Sequence, residues 1–193
     1  MDRVSIANTA LLAIGNKRIG ALDEGTTEAD LVSQEIDNAI RSCLEAHSWN
    51  FASRWEELAL NATAPMAEYT SSFALPSDFV RIHSTYPDLG RYYRIMERNL
   101  HCNATNLLLR YVFWTAETST GSFKQYFGDA VAYNLANRIS YAFTLSADQK
   151  KSLLQESELY LSRAKTLDSQ EEGMDDVEEN IFAYARCHDG IVP

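Results

Sequence analysis

The stretch AHSWNFASRWEELAL, Ala46 to Leu60, decides how the rest of the chain is read. Just upstream, Leu31, Val32, Ile36, Ala39, Ile40, Cys43 and Leu44 recur at three- and four-residue spacing, which predicts an amphipathic helix over 27–47 with Glu35 at its margin. Thr27 is placed to cap that helix, and Glu28 and Asp30 fall in its first turn, where acids are favoured. From Trp49 the period changes. Trp49, Phe51, Ser53 and Trp55 alternate with Asn50, Ala52, Arg54 and Glu56, a two-residue period that predicts a strand. The aromatics and His47 therefore fall on a helix-to-strand corner. Such a corner needs bulky side chains to seal it, so Trp49, Phe51 and Trp55 are expected to be buried core. The Trp55 indole N–H is expected to find a polar partner, and His47 to cap or pack.

Working outward, Val4, Ala7, Leu11 and Ile14 share a helical face, and Gly15 is a natural stop for that first helix. Ile19 and Leu22 are expected to anchor the loop at 16–26. Downstream of the corner the chain is β-like: a Leu75–Asp78 turn, a strand at 79–85, and strands in RYYRIMERN and NLLLRYVFW separated by the turn-rich NLHCNAT. Helix returns at 122–145, with Ser122 as cap and Phe127, Ala130, Val131, Leu135, Ile139, Ala142 and Phe143 on one face. A last helix spans about 148–168, opened by Ser146 or Ala147, with Leu153, Leu154, Tyr160, Leu161, Ala164 and Leu167 as core candidates. Seven acids with no base then run from Asp168 to Glu179, a block expected to be solvated, before the apolar IFAYARCHDGIVP.

The order of helices, strands and helices predicts the α+β class. The expected architecture is an antiparallel bundle of about four helices, from residues 1–47 and 122–172, with a β-rich insertion at 48–121 between the second and third helices. An acidic C-terminal tail, 173–193, extends from it.

Composition narrows the chemistry. At 193 residues and 46% hydrophobic the chain can bury a core without disulfide or metal. A net charge of −10 argues against gripping nucleic acid or an anionic membrane. No apolar run approaches the roughly 18 residues of a membrane span, so no membrane anchor is expected. MDRVSIANTA lacks the basic start and apolar run of a signal peptide. Cys43, Cys102 and Cys187 are an odd set without close pairing and read as reduced thiols.

His47, His83, His101 and His188 are scattered singly, no Gly-rich phosphate loop is present, and neither metal nor cofactor is expected. Among the acid pairs, Glu56 and Glu57 follow the aromatic cluster and are the best placed for carboxylate catalysis. A solvated strand face is their ordinary reading. Tyr86, Tyr92 and Tyr93 suit a sugar site or a subunit interface equally.

Several elements together resemble one known family: IANTALLAIGNKRIGALDE, ADLVSQEIDNAIRSCLEAHSWNFASRWEELA, FALPSDFVRIHS, RYYRIMERNLHCNATNLLLRYV, and the closing FGDAVAYNLANRISYAFTLSADQKKSLLQESELYLSRAKTLDSQEE. Their order and spacing, over residues 4–172, look like the head-to-tail adaptor, or tail tubular protein A, family of short-tailed bacteriophages. The resemblance implies a non-enzymatic virion protein made in the host cytoplasm. It also implies a homo-oligomeric ring of about twelve copies, bound to the portal protein above and the tail nozzle protein below. DNA would pass through its lumen without specific binding. The family's C-terminal tails reach the portal, which makes Ile181, Phe182, Tyr184, Arg186, Ile191 and Val192 the expected docking residues here. Two other readings remain open. One is an adaptor with added peptidoglycan-hydrolase activity, for which Glu56 and Glu57 are the candidates. The other is a non-viral helical binding module.

Overall fold

A computed structural model describes residues 1–62, 68–115, 121, 123–143 and 145–171. The expected docking residues at 181–192 and the expected cap Ser122 lie outside the described residues.

The first two helices are α1 (Arg3–Ala13) and α2 (Thr27–Glu45). Six strands follow: β1 (Ser53–Glu57), β2 (Ser71–Ala74), β3 (Phe79–Tyr86), β4 (Arg94–Met96), β5 (Asn99–Cys102) and β6 (Leu108–Phe113). Helices α3 (Gln125–Ile139) and α4 (Ala147–Glu171) close the order. The ends of the helices follow from local chemistry. Asp2 caps α1 by accepting from Ser5 N–H. Gly15, at φ 78°, ends it: Gly15 N–H bonds Leu12 O and Asn16 N–H bonds Leu11 O, the paired bonds of a left-handed helix stop. Thr26, one residue before the expected Thr27, caps α2 by accepting from Ala29 N–H. Ser146 and Gln149 exchange backbone-to-side-chain bonds and start α4 as a capping box.

The strands form two three-stranded antiparallel sheets, ordered β1-β6-β3 and β2-β5-β4. This corrects the expected architecture. The chain is α+β, but the strands are central rather than an insertion in a four-helix bundle. Strand β6 shows why: each of its faces feeds a different core. Val112, followed by Trp114, joins the core made with the helices, while Leu109 and Tyr111 join a second core with Leu58, Phe73, Leu75, Leu100 and Leu107. A strand that feeds one core from each face lies in a middle layer. The helices, too, do not form a four-membered ring of neighbours. The buried helix α3 is the hub on which α1, α2 and α4 all pack.

Three local expectations also change. NLHCNAT is not only a turn: its first four residues are β5, the middle strand of the second sheet, with Leu100 and Cys102 fully buried. Leu154 and Leu167 of α4 are exposed, whereas Leu153 and Ala164 are core. Trp55 is half exposed: β1 is an edge strand among the described residues, and Trp55 stands opposite Arg110 rather than an apolar neighbour.

Candidate functional site

The corner at 46–57 gathers polar side chains from several elements around one buried carboxylate, that of Asp168. After α2 the chain makes one 3-10 turn, Asn50–Ala52, before β1 begins. The extra turn turns Trp49 inward. Its ring is fully buried, edge-on to Phe127 (4.8 Å between centroids) and to His47 (5.0 Å). Its indole N–H donates to Cys43 O at 2.9 Å, so Trp49, and not Trp55, supplies the tethered indole. Phe51 is partly buried against Phe123 and Phe127.

Asn50 is the junction of the corner. Its backbone N–H donates to Asp168 Oδ2 at 3.0 Å, and its side-chain amide donates to Asp168 O at 3.2 Å. Its Oδ1 accepts from Arg110 Nη2 at 2.9 Å and faces His83 Nε2 at 3.3 Å. Asp168, near the end of α4, is fully buried and also accepts from the Tyr126 hydroxyl at 3.2 Å. His47 Nε2 stands 3.4 Å from the same carboxylate. Burial lowers the His47 pKa below the ordinary imidazole value, and the neighbouring Asp168 opposes that shift without cancelling it. Burial, reinforced by Asp168, raises the Tyr126 phenol.

Asp168 heads the acidic block that composition predicts to be solvated; its full burial overturns that placement. The signal was present in the helical spacing. Leu153, Ser157, Ala164 and Asp168 are the buried residues of α4 and share one face.

A second network lies on the first sheet. The Arg54 guanidinium lies over the rings of Tyr111 and Phe113, at 5.4 and 4.8 Å, and pairs with Asp78 at 2.8 Å. Its Nε donates to the Tyr111 hydroxyl at 2.9 Å. That hydroxyl in turn donates to Glu56 Oε2 at 2.7 Å and stands 3.2 Å from Asp78 Oδ1. Glu57, the next residue of the strand, points to the opposite face. Two acids back to back on one strand cannot flank a single glycosidic bond. Glu56 is instead an acceptor inside a structural network.

The other chemical candidates are similarly occupied. Burial pushes the Cys43 thiol up to about 12 and also raises that of Cys102, which removes both as nucleophiles near neutral pH. His101 is buried on β5, with Nδ1 lacking a hydrogen-bond partner among the described residues. No group of three His, Cys, Asp or Glu among the described residues could hold a metal ion, and no described helix is long and apolar enough to cross a membrane. A groove of about 300 Å³ lies between the end of α1 and the start of α4, lined by Leu12, Ile14, Leu145, Gln149, Leu153 and Glu156. It offers one acid and no base. Of the three tyrosines weighed for a sugar site, Tyr86 and Tyr92 are exposed and Tyr93 is partly buried against the second core. They do not converge on a pocket.

No family model matches the chain, and no curated protein matches it.

Proposed function

We propose that the chain is a structural head-to-tail connector of a short-tailed bacteriophage, a ring subunit seated between the portal and the tail nozzle. The support is the resemblance carried by the ordered motifs over 4–172, together with the place of one of them in the fold. WNFA, at 49–52, is the corner on which Asp168 closes. The chain thus fixes the end of α4 a few residues before the segment that the family uses to reach the portal. A tail that bears load between two rings needs a rigid base, and a buried carboxylate that accepts from the Asn50 N–H, the Asn50 amide and the Tyr126 hydroxyl supplies one. The polar clusters among the described residues are engaged in holding the fold, which suits a protein that works by shape and association. The net charge of −10 suits a lumen along which DNA slides without sticking.

Mixing the purified protein with the portal rings of its phage and imaging them tests the reading. The expected result is a second ring stacked on one face of the portal. Portal rings that stay bare at saturating protein would refute it. Removing residues 176–193 is expected to abolish the stacking.

A further inference from the structure

We propose that the hairpin around Arg91–Arg98 is a self-association surface, and that its occupant is the acidic start of α2 in a second copy of this chain. The proposal deepens the ring reading above by naming the two faces through which neighbouring subunits meet.

Charge is distributed unevenly along the chain. Residues 79–113 carry five arginines (81, 91, 94, 98 and 110) against two acids, Asp88 and Glu97, in a chain whose net charge is −10. The rest of the molecule is therefore at −13. Three of the five arginines lie within eight residues at the β4–β5 hairpin. There Arg91 and Arg94 are exposed, with no ion pair among the described residues. Arg98 donates to Pro76 O at 2.6 Å, which orders it without neutralising it.

The surface around them is also apolar and unpaired. Among the described residues strand β4 is an edge, hydrogen-bonded only to β5, and all three of its residues are exposed. Ile95 and Met96 are about two-fifths exposed, at 42% and 41%, while Tyr86 and Tyr92 stand out at 71% and 83%. Exposed tyrosine and arginine beside a free strand edge is the composition of an interface. An edge strand left open to water is normally blunted by charges of its own. Here three arginines outnumber one hairpin acid, Glu97, and leave the hairpin cationic.

The matching surface lies at the far end of α2. Glu24 and Glu28 line a small cleft there with Lys17 and Arg18, and Asp23 and Asp30 flank them in sequence, four acids against two bases. Glu24 is engaged by Gly20 N–H, Ala21 N–H and the Thr26 hydroxyl, whereas Asp23 and Asp30 are exposed and outside any ion pair among the described residues. Helix α2 has 19 residues, roughly 28 Å at 1.5 Å per residue. The sheets begin at its other end, where Arg81 of β3 donates to Glu45 O at 2.8 Å. The cationic hairpin and the acidic corner are thus held apart within one copy and are free to meet between copies. A contact between two different patches is heterologous: it propagates head to tail and closes into a ring when the rotation permits.

Charge reversal in two variants tests this without the portal. Each of R91E/R94E and D23K/D30K places like charges at the proposed contact, while an equimolar mixture of the two restores opposite charges at every contact. Sedimentation velocity over a concentration series in low salt, with circular dichroism to verify folding, reads the outcome. The expected result is salt-sensitive self-association of the unaltered protein, weakened roughly tenfold or more in each variant alone and recovered in the mixture. An unaltered protein that stays monomeric throughout, or a mixture that fails to recover, overturns the proposal. So does binding of a DNA oligonucleotide that is lost in R91E/R94E while self-association is unchanged, which would make the hairpin a nucleic-acid surface. Failure here with intact stacking on portal rings would refute these faces and leave the connector reading standing; the reverse result would do the opposite.

Discussion

The backbone N–H of Asn50 donates to the carboxylate of Asp168 at 3.0 Å, joining positions 118 residues apart. One residue belongs to the turn that leaves α2, the other to the last described turn of α4. Because Asp168 is fully buried, this contact and its companions from the Asn50 amide and Tyr126 are sheltered from water, where such bonds count most.

Replacing Asp168 by Ala would leave the Asn50 N–H and the Tyr126 hydroxyl without their acceptor in a buried site. The expected loss is about 2–4 kcal/mol of unfolding free energy. Asp168→Asn, which keeps one carbonyl oxygen, should lose less. Urea denaturation with unchanged slope measures both, and a loss below about 0.5 kcal/mol for Asp168→Ala would show that the corner does not hold α4.

His47 adds a pH dependence to the same corner. Burial lowers its folded-state pKa below that of the unfolded chain, with Asp168 opposing. The folded protein therefore takes up this proton at a lower pH than the unfolded chain does. The stabilisation is complete above the unfolded value, about 6.5, and is lost as pH falls through it toward the folded value. His47→Gln is expected to flatten the decline of stability from about pH 7 downward. Parallel curves for the variant and the original would refute the assignment.

How far the sequence foretold all this depended on whether the determining contact was local. Helix α2 was legible because seven apolar positions repeat on one face, and Gly15 was legible because a left-handed stop needs a residue without a side chain. The corner was legible in kind but not in detail. A two-residue period from Trp49 cannot distinguish a strand from one 3-10 turn followed by a strand, and that turn is what buries Trp49 and leaves Trp55 in solvent. Strand β5 was hidden in NLHCNAT because its identity comes from β2 and β4 on either side of it, not from its own four residues. Asp168 was hidden by its company: an acid heading an acidic run reads as solvated unless its helical register is followed back to Leu153. The layering was missed for a related reason. Only pairing across the chain shows that β6 faces two cores at once.

Gly15 offers a local test. Its φ of 78° is a conformation that side chains resist, and an added Cβ would meet nothing within 4 Å. Gly15→Ala therefore isolates backbone strain from crowding. The expected cost is about 1 kcal/mol, seen as a lower urea midpoint at constant slope. A neutral result would mean that α1 ends by other means than the Gly15 and Asn16 bonds.

The Tyr111 network separates a structural from a catalytic role for Glu56. The Tyr111 hydroxyl links Arg54, Glu56 and Asp78, and burial, with the bond to Glu56 next in weight, raises its pKa. Tyr111→Phe removes the link and is expected to cost about 1–2 kcal/mol. Glu56→Gln should weaken the same bonds and lower stability by a smaller amount, while Glu57→Gln, on the exposed face, should change nothing. In a peptidoglycan zymogram the original protein and both glutamine variants are expected to give no cleared band. A band that Glu56→Gln abolishes, in a variant that still folds, would instead make this carboxylate a catalyst and its hydrogen bonds a means of positioning it.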